Sequence, residues 1–331
     1  MRKNSSIAIL GSGSWATALV KLISPNSESL SWWVRDEASI MHIQLHQHNP
    51  KYLTDAELDI EKVHIDNDIL KISKNADILI LAIPSAYLAE AIIPIRSIIK
   101  EKFIVSAIKG IIPETHQTVG EYLHSEIGMD YSNFGAILGP CHAEEVALEK
   151  LSYLTIASKN KGLSRLISKK LSSSAIQTNR TEDIHGSEYA SILKNIYAIA
   201  AGVSQSLGYG DNFQAVLVSN SMREMKRFIK SVSPLKRDIS KTAYSGDLFV
   251  TMYSPFSRNR TLGSLIGKGY TVRSAILEMS MVAEGYFATK HIRNIKKTKD
   301  VKMPIASAVY KILYENRSPK KVLSELSEKL S

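Results

Sequence analysis

The chain has 331 residues, 44% hydrophobic and 22% charged, a composition typical of a folded globular protein rather than a disordered one. Its length exceeds that of one typical hydrophobic core, so we expect two domains. No apolar stretch approaches the length that a bilayer span requires, and the single cysteine, Cys141, excludes an internal disulfide and a thiolate metal cluster. We therefore expect a cytoplasmic protein without stable membrane insertion.

The formal net charge of +10 is compatible with nucleic acid, a membrane surface or an anionic small molecule as partner. The lysines are scattered, with one modest cluster at residues 293–300, and no aromatic residue interleaves with that cluster. We interpret the cluster as a solvated basic surface and expect no nucleic-acid partner.

The first half of the chain alternates short β-rich runs with segments of helical periodicity. Several runs are continuously apolar, which is typical of strands covered on both faces of a parallel sheet. The predicted strands are 6–10, 30–34, 77–83, 103–108, 134–138, 154–158 and 175–178. This alternation predicts an α/β, Rossmann-like N-terminal domain.

The second half reads as helical. Apolar residues recur at helical spacing over 187–207 and 211–229, and turn signals interrupt the remainder at 208–210, 254–256 and 267–270. We expect a dinucleotide-binding domain over residues 1–185 and an all-helical substrate-binding and catalytic domain over residues 186–331.

The sequence Gly-Ser-Gly-Ser-Trp-Ala follows the first predicted strand and opens a helix. Gly11 would make the tight turn, and Gly13 would let the backbone approach a pyrophosphate at the N-terminus of the helix from Ser14. Ala16 stands where the fingerprint often has its third glycine, a position that requires only a small residue. In this context the motif predicts a dinucleotide site.

The end of the second predicted strand bears on which dinucleotide is bound. An acidic residue there accepts from the ribose hydroxyl of NAD, whereas an arginine can pair with the 2′-phosphate of NADP. This chain has Arg35 and then Asp36. Arg35 favours NADPH, Asp36 keeps NAD open, and a simple surface ion pair of the two is a third interpretation.

Two later strand ends carry candidate ligands, since ligands of open α/β sheets lie beyond the carboxyl ends of the strands. Lys109 follows one apolar strand, where a cation would face an anion or a carbonyl, although an exposed loop lysine is the commoner case. The sequence Gly-Pro-Cys-His-Ala-Glu-Glu at 139–145 follows another strand and would bring helix amides and Cys141 to the same edge.

The helical half contains two denser groups of polar residues. Lys194 and Asn195 stand within an otherwise apolar helix, where an unpaired ammonium is costly to bury. Lys194 therefore either extends to the surface or faces a site with a partner. Asp247 is a candidate partner. The polar cluster Ser257, Arg258, Asn259 and Arg260 suits phosphate recognition, although a solvated turn would have a similar composition.

Taken together, these stretches resemble the NAD(P)-dependent glycerol-3-phosphate dehydrogenases of the bacterial type, over essentially the whole chain. The segments that carry the resemblance are GSGSWATAL, AIKGI, GPCHAEEVA, the stretch 193–220, GDL, SRNRTLG, GKGY and EGYFATK. The resemblance implies reversible hydride transfer between a nicotinamide cofactor and dihydroxyacetone phosphate, giving sn-glycerol 3-phosphate for phospholipid synthesis. It also implies a homodimer.

The resemblance further implies roles for individual residues. Lys194 would be the catalytic acid/base, with Asp247 beside it. The implied cofactor contacts are Gly11, Gly13, Ser14, Trp15, Arg35, Lys109, Ala143, Arg258, Val282 and Glu284. The implied substrate contacts are Lys109, Gly139, Cys141, Lys194, Asp247, Ser257, Arg258 and Asn259.

The sequence departs from the family pattern at two positions. Alanine replaces glycine at position 16, which affects packing more than chemistry. Cys141 replaces a serine or threonine and is a poorer hydrogen-bond partner, which puts its substrate contact in question.

Two other functions are open alternatives. One is a dehydrogenase of the same two-domain plan that acts on another hydroxy acid or sugar phosphate, and the other is a nucleotide-sensing or nucleic-acid-binding protein without catalysis. No metal is expected, because the acidic residues near His42, His46 and His48 are not arranged to complete a site.

Overall fold

The computed structural model describes residues 5–279 and 281–331, which group into two compact units. The first unit contains residues up to 108 together with 117–184, and the second contains 109–116 and 185–331. Segment 109–116 thus groups with the helical unit, although the sequence analysis assigns it to the N-terminal domain. Its Ile111 packs in the helical unit's core, which accounts for the grouping. The functional boundary at residue 185 stays a prediction.

The first unit contains a single eight-stranded sheet among the described residues, in the order β3-β2-β1-β4-β5-β6-β7-β8. The strands are β1 (Ile7–Leu10), β2 (Leu30–Trp33), β3 (Val63–Asp66), β4 (Ile78–Leu81), β5 (Phe103–Ser106), β6 (Phe134–Leu138), β7 (Ser152–Ser158) and β8 (Ile176–Thr181). Ile9 of β1 lies opposite Trp32 and Ile80, and all three side chains are buried. The seven predicted strands and the Rossmann-like class are confirmed.

The structure adds one strand and reverses one pairing. The sequence analysis misses β3, because this edge strand is short and only Ile65 of its four residues is fully buried. β7 runs antiparallel to β6, a pairing that the expected strand–helix–strand units of a parallel sheet do not include. The helix between them, Ala143–Ala147, rises only about 7.5 Å. It is too short to return along β6, which is about 17 Å long, as a parallel crossover would require.

The helices of the first unit cover the sheet, and the hydrophobic core of this unit contains residues from both the strands and the helices. They are α1 (Ser14–Ile23), α2 (Glu37–His46), α3 (Ile69–Lys74), α4 (Ser85–Ala91), α5 (Arg96–Ile99), α6 (Val119–Ile127), α7 (Ala143–Ala147) and α8 (Lys161–Leu171). α1 buries Ala16, Leu19, Val20 and Ile23, a spacing that places them along one side of the helix.

Every regular element described over residues 185–331 of the second unit is a helix. Its helices are α9 (Ile184–Ser206), α10 (Asp211–Val232), α11 (Asp247–Tyr253), α12 (Arg258–Gly267), α13 (Val272–Glu278), α14 (Glu284–Lys299), α15 (Pro304–Tyr314) and α16 (Pro319–Ser327). The three interruptions predicted at 208–210, 254–256 and 267–270 fall at or next to helix ends and are confirmed. None of the described helices has both the length and the apolarity that crossing a bilayer requires.

Candidate active site

The turn after β1 is fixed by the residues around it. Gly11 has φ +129°, and a Cβ there would lie 2.4 Å from the carbonyl oxygen of Ala82, so only glycine fits. The buried indole of Trp32 donates to the Gly11 carbonyl oxygen at 2.7 Å. Asn49 donates to the Ser12 carbonyl oxygen at 3.1 Å. The loop is therefore held in one conformation from two sides.

The N-terminus of α1 is open in front of this turn. Gly13 is the N-cap and offers no capping side chain, and nothing lies within 4 Å of a Cβ built on it. The indole Nε1 of Trp15 is buried and finds no hydrogen-bond partner among the described residues. An uncapped helix N-terminus favours an anion, and the bare Gly13 leaves room for one to approach, so these residues fit a dinucleotide pyrophosphate.

The end of β2 presents Arg35 and Asp36 differently. Arg35 is exposed, whereas the Asp36 carboxylate accepts from Lys51 Nζ at 2.7 Å and from Ser39 Oγ at 2.5 Å. The hydrogen bond from Lys51, followed by that from Ser39, lowers the pKa of Asp36 to about 2. The carboxylate is thus already engaged, and Lys51 adds a second cation near Arg35. No sequence signal links Lys51 to Asp36, 15 residues away.

Gly139, Cys141 and Ala143 follow β6 in the same unit. Gly139 has φ +111°, and a Cβ there would lie 2.8 Å from the Tyr153 carbonyl oxygen. The buried Cys141 thiol donates a weak hydrogen bond to the Gly139 carbonyl oxygen, at 3.5 Å. Ala143 is the first residue of α7.

The helical unit contains a carboxylate between two ammonium groups. Lys194 on α9 and Asp247 at the start of α11 are both nearly fully buried, and Lys194 Nζ lies 2.5 Å from Asp247 Oδ1. Lys109 Nζ lies 3.4 Å from the other oxygen, Oδ2. Both charges that burial would disfavour therefore have partners, and the group retains a net charge of +1.

Asn195 fixes the backbone of this group. Its side-chain amide donates to the Lys109 carbonyl oxygen at 2.9 Å, so α9 supplies Lys194 and also holds the segment that carries Lys109. Thr251 donates to the Asp247 carbonyl oxygen at 2.6 Å. Asn195 is unusual in an apolar helix, but its role could not be predicted, because a main-chain partner 86 residues away leaves no sequence signal.

The polar cluster after α11 forms the start of α12. Ser257 is its N-cap and accepts from the Arg260 backbone N–H. Asn259 is buried, and its Oδ1 accepts from the Gly285 N–H at 2.8 Å, which leaves its Nδ2 as the donor that could reach a ligand. Arg260 pairs instead with Gln205 of α9, and Arg258 is partly exposed.

Val282 and Glu284 lie at the beginning of α14, both partly exposed. The next residue, Gly285, is a site residue that the sequence analysis misses. A Cβ there would lie 2.7 Å from the Asn195 carbonyl oxygen and 2.8 Å from Asn259 Oδ1. Only glycine lets α14 begin this close to Asn195 and Asn259.

A Rossmann-type sheet with a Gly-x-Gly-x-x-Ala turn, together with a helical unit that buries a Lys–Asp pair, defines the class of two-domain nucleotide-dependent dehydrogenases. Two family profiles match this chain. "NAD-dependent glycerol-3-phosphate dehydrogenase N-terminus" covers residues 6–164, and the corresponding C-terminus covers residues 183–324. The chain belongs to the NAD-dependent glycerol-3-phosphate dehydrogenase family.

Individual relatives agree with this family. "Glycerol-3-phosphate dehydrogenase [NAD(P)+] 2" of Salinibacter ruber is 33% identical over 325 residues, covering 98% of this chain and 94% of its own. The corresponding protein of Staphylococcus haemolyticus is 32% identical, covering 97% of both chains. A crystal structure of glycerol-3-phosphate dehydrogenase from Coxiella burnetii superposes with a TM-score of 0.92 at 26% identity, covering 99% of this chain and 100% of its own.

Proposed function

We propose that this protein is an oxidoreductase that reversibly reduces dihydroxyacetone phosphate to sn-glycerol 3-phosphate with NADPH or NADH and supplies glycerophospholipid synthesis. Family membership supports the reaction class. The observation that carries the proposal is the buried Asp247 carboxylate between Lys194 and Lys109. It holds two ammonium groups in place, which suits a phosphorylated carbonyl substrate.

We propose that residues 1–185 bind the cofactor and that residues 186–331 bind the substrate and contribute the catalytic groups. A bound nicotinamide supplies the hydride that reduces the carbonyl carbon. The residues proposed to contact the cofactor are Gly11, Gly13, Ser14, Trp15, Arg35, Lys109, Ala143, Arg258, Val282 and Glu284. The open N-terminus of α1 supports this assignment for the loop residues.

NADPH is the favoured cofactor in this proposal. The exposed Arg35 is available for a 2′-phosphate, and Lys51 offsets the charge of Asp36, so these three side chains have a formal net charge of +1 at this strand end. Asp36, the residue that would favour NAD, already accepts hydrogen bonds from Lys51 and Ser39.

The proposed chemistry needs one proton at the carbonyl oxygen. Negative charge develops there as hydride adds to the carbon, and the Lys194 ammonium stabilises that charge and donates the proton. Asp247 positions Lys194, and Lys109 provides further positive charge. Lys194 then recovers a proton from solvent, and the ketone has gained a hydride and a proton to become the alcohol.

The phosphate of the substrate is assigned to the start of α12. Arg258 and the Nδ2 group of Asn259 are the proposed donors, and Ser257 completes this end of the site. Binding energy from the phosphate then positions the carbonyl for reaction. Gly139 and Cys141 are the remaining proposed substrate contacts. The thiol of Cys141 is a weak donor, so we assign it a minor share of the binding energy.

The protein is further proposed to act in the cytoplasm as a homodimer with no nucleic-acid partner and no stable membrane insertion. Its single cysteine is buried and cannot form an internal disulfide, which suits a reducing compartment. Nucleic-acid binding is disfavoured because no aromatic residue interleaves with the lysine cluster at residues 293–300.

Lys194→Ala tests the catalytic assignment. We expect kcat to fall at least about 100-fold, the usual contribution of a positioned acid, while NADPH binding changes little. Steady-state kinetics and NADPH titration by fluorescence measure the two effects. Lys241→Ala, an exposed lysine of the same unit, is the matched control. A Lys194→Ala enzyme with near-normal turnover would remove Lys194 from the proton-donor role.

A further inference from the structure

The positive charge of the chain is concentrated at its C-terminal end. Residues 290–331 contain eleven lysines and arginines but four aspartates and glutamates, so 42 residues carry +7 of the total +10. This segment forms the end of α14, all of α15 and all of α16. The proposed substrate and cofactor contacts all lie outside it, so the reaction leaves this charge unexplained.

A cavity of about 240 Å³ lies among these three helices, entirely within the helical unit. Four lysines line it, namely Lys296, Lys302, Lys311 and Lys329. Its apolar lining includes Met303, Val322 and Leu326, each 2% exposed or less. The cavity therefore combines cationic walls with an apolar floor.

The lysines exceed the available negative charge. Glu325 is the only carboxylate in the described lining, and it pairs with Lys311 at 3.5 Å and with Arg317 at 3.1 Å. Lys302 and Lys329 have no carboxylate within 4.0 Å among residues 5–279 and 281–331. The described lining thus has four lysines and one carboxylate, a formal net charge of +3.

Lys296 is a lining residue whose ammonium is affected by nearby cations. Its ammonium donates to Ser307 Oγ at 2.7 Å. Burial, then the nearby Arg293 guanidinium, lowers the pKa of Lys296, and Lys311 adds to this; Glu224 and Asp300 oppose it. Glu224 itself is engaged, because its carboxylate accepts from the Ile305 and Ala306 N–H groups. An anion in the cavity would relieve the repulsion among these cations.

We propose that this cavity is a second ligand site, which binds a small phosphomonoester. A phosphate dianion matches the surplus positive charge, and its oxygens can accept from several ammonium groups at once. A short carbon chain would rest on Met303, Val322 and Leu326. The cavity has room for such a ligand. No aromatic residue lines the described cavity, so it lacks a surface on which nucleic-acid bases could stack.

Methionine-methyl NMR on the full-length protein can test this site directly. With ¹³C-methyl methionine, Met303 reports on the cavity, whereas Met252, a buried residue of α11, reports on the helix that begins with Asp247. Titration with n-propyl phosphate should shift the Met303 resonance saturably, and n-propanol should not. Because Met252 is followed in the same spectra, binding at the two sites is separated.

Two double variants test the contribution of the lysines. Lys302→Gln with Lys329→Gln removes the two lining charges that lack a carboxylate partner, and Lys320→Gln with Lys321→Gln removes two exposed charges of α16 outside the lining. The first pair should weaken propyl phosphate binding at Met303 about three- to tenfold, as expected for two partly exposed ion pairs. The second pair should change it less than about twofold, as expected for screened charges.

Three results would overturn the proposal. The first is a Met303 resonance that does not move with propyl phosphate while Met252 does. The second is equal weakening by the two double variants, which would mean general charge attraction. The third is binding to phosphatidylglycerol vesicles that is lost in the Lys302/Lys329 variant without any Met303 response to propyl phosphate, which would assign the lysines to a lipid surface.

Discussion

Asp247 is a buried carboxylate, which is costly to desolvate and which positions the lysine of the proposed reaction. It is 1% exposed, yet its two oxygens are shared by Lys194 and Lys109. Breaking such a buried group by removing one partner typically costs about 3–5 kcal/mol, because the remaining charge stays desolvated. Lys194 therefore occupies a position that packing alone would give to an apolar residue, which argues for a functional reason to keep the charge.

The sequence predicted this residue pair better than its surroundings. A lysine within an apolar helix implies a partner, and the physical cost of burial is sufficient to infer one. The hydrogen bonds from Asn195 to the Lys109 carbonyl and from the Gly285 N–H to Asn259 were not predictable. Their main-chain partners exist at every residue, so nothing in the sequence indicates which one is used.

His291 is a buried histidine that makes stability depend on pH. It is 3% exposed, and its ring packs against that of His116, with centroids 4.2 Å apart and the planes tilted by 45°. Burial, then the neighbouring His116 charge, lowers the pKa of His291 from 6.5 to about 4. The unfolded chain therefore binds this proton more tightly, and stability is lost as the pH falls from about 6.5 to about 4, by up to about 3 kcal/mol.

We expect His291→Gln to remove this part of the pH dependence. Urea denaturation of the wild type and the variant between pH 4 and pH 7 measures it. As the pH falls, the wild type should lose more unfolding free energy than the variant does. His46→Gln, an exposed histidine of α2, is the matched control and should run parallel to the wild type. A parallel profile for His291→Gln as well would contradict the assignment.

At the scale of elements, α9 and α12 meet without side chains between them. A Cβ on Gly263 would lie 2.1 Å from the Ile199 carbonyl oxygen, and one on Gly202 would lie 2.0 Å from the Arg260 carbonyl oxygen. This contact fixes α12, which begins with Arg258 and Asn259, against α9, which carries Lys194. The two helices that hold the proposed phosphate donors and the proposed acid are thus in backbone contact.

Gly263→Ala should force these helices apart. We expect a loss of about 1–3 kcal/mol in unfolding free energy and a raised KM for the phosphorylated substrate, because the start of α12 moves relative to Lys194. Thermal denaturation and steady-state kinetics measure both. Gly210→Ala is the control, because nothing lies within 4 Å of a Cβ there. A Gly263→Ala enzyme with unchanged stability and KM would show that the contact does not position the site.

The elements themselves were largely predictable, and the exceptions have physical causes. Strands buried on both faces produce apolar runs, which is why β1 and β4 are evident in the sequence. β3 is not evident, because an edge strand with exposed positions lacks that run. Glu224 of α10 is a similar case. It reads as a surface charge, yet it is buried and caps α15, whose first N–H groups lie 81 residues further on.

At the scale of the whole molecule, the order of the elements and the distribution of charge have different origins. The order of strands and helices follows from local patterns, and it was sufficient to predict a Rossmann-like unit and a helical unit. The distribution of charge among the final helices does not follow from such patterns. The cluster at 293–300 was interpreted as a solvated surface, but its Lys296 lines a cavity with three lysines from later segments. These four lysines come together only in the folded chain, so their proximity could not be predicted from the sequence.

The central claim is that the protein reduces a phosphorylated ketone with a nicotinamide cofactor. The most direct measurement follows the absorbance of NADPH and, in parallel, NADH on addition of dihydroxyacetone phosphate or of unphosphorylated dihydroxyacetone. We expect oxidation with dihydroxyacetone phosphate, faster with NADPH than with NADH, and little or none with the unphosphorylated ketone. Equal rates with both ketones would contradict the assignment of Arg258 and Asn259 to the phosphate, and no oxidation of either cofactor would contradict the proposed reaction.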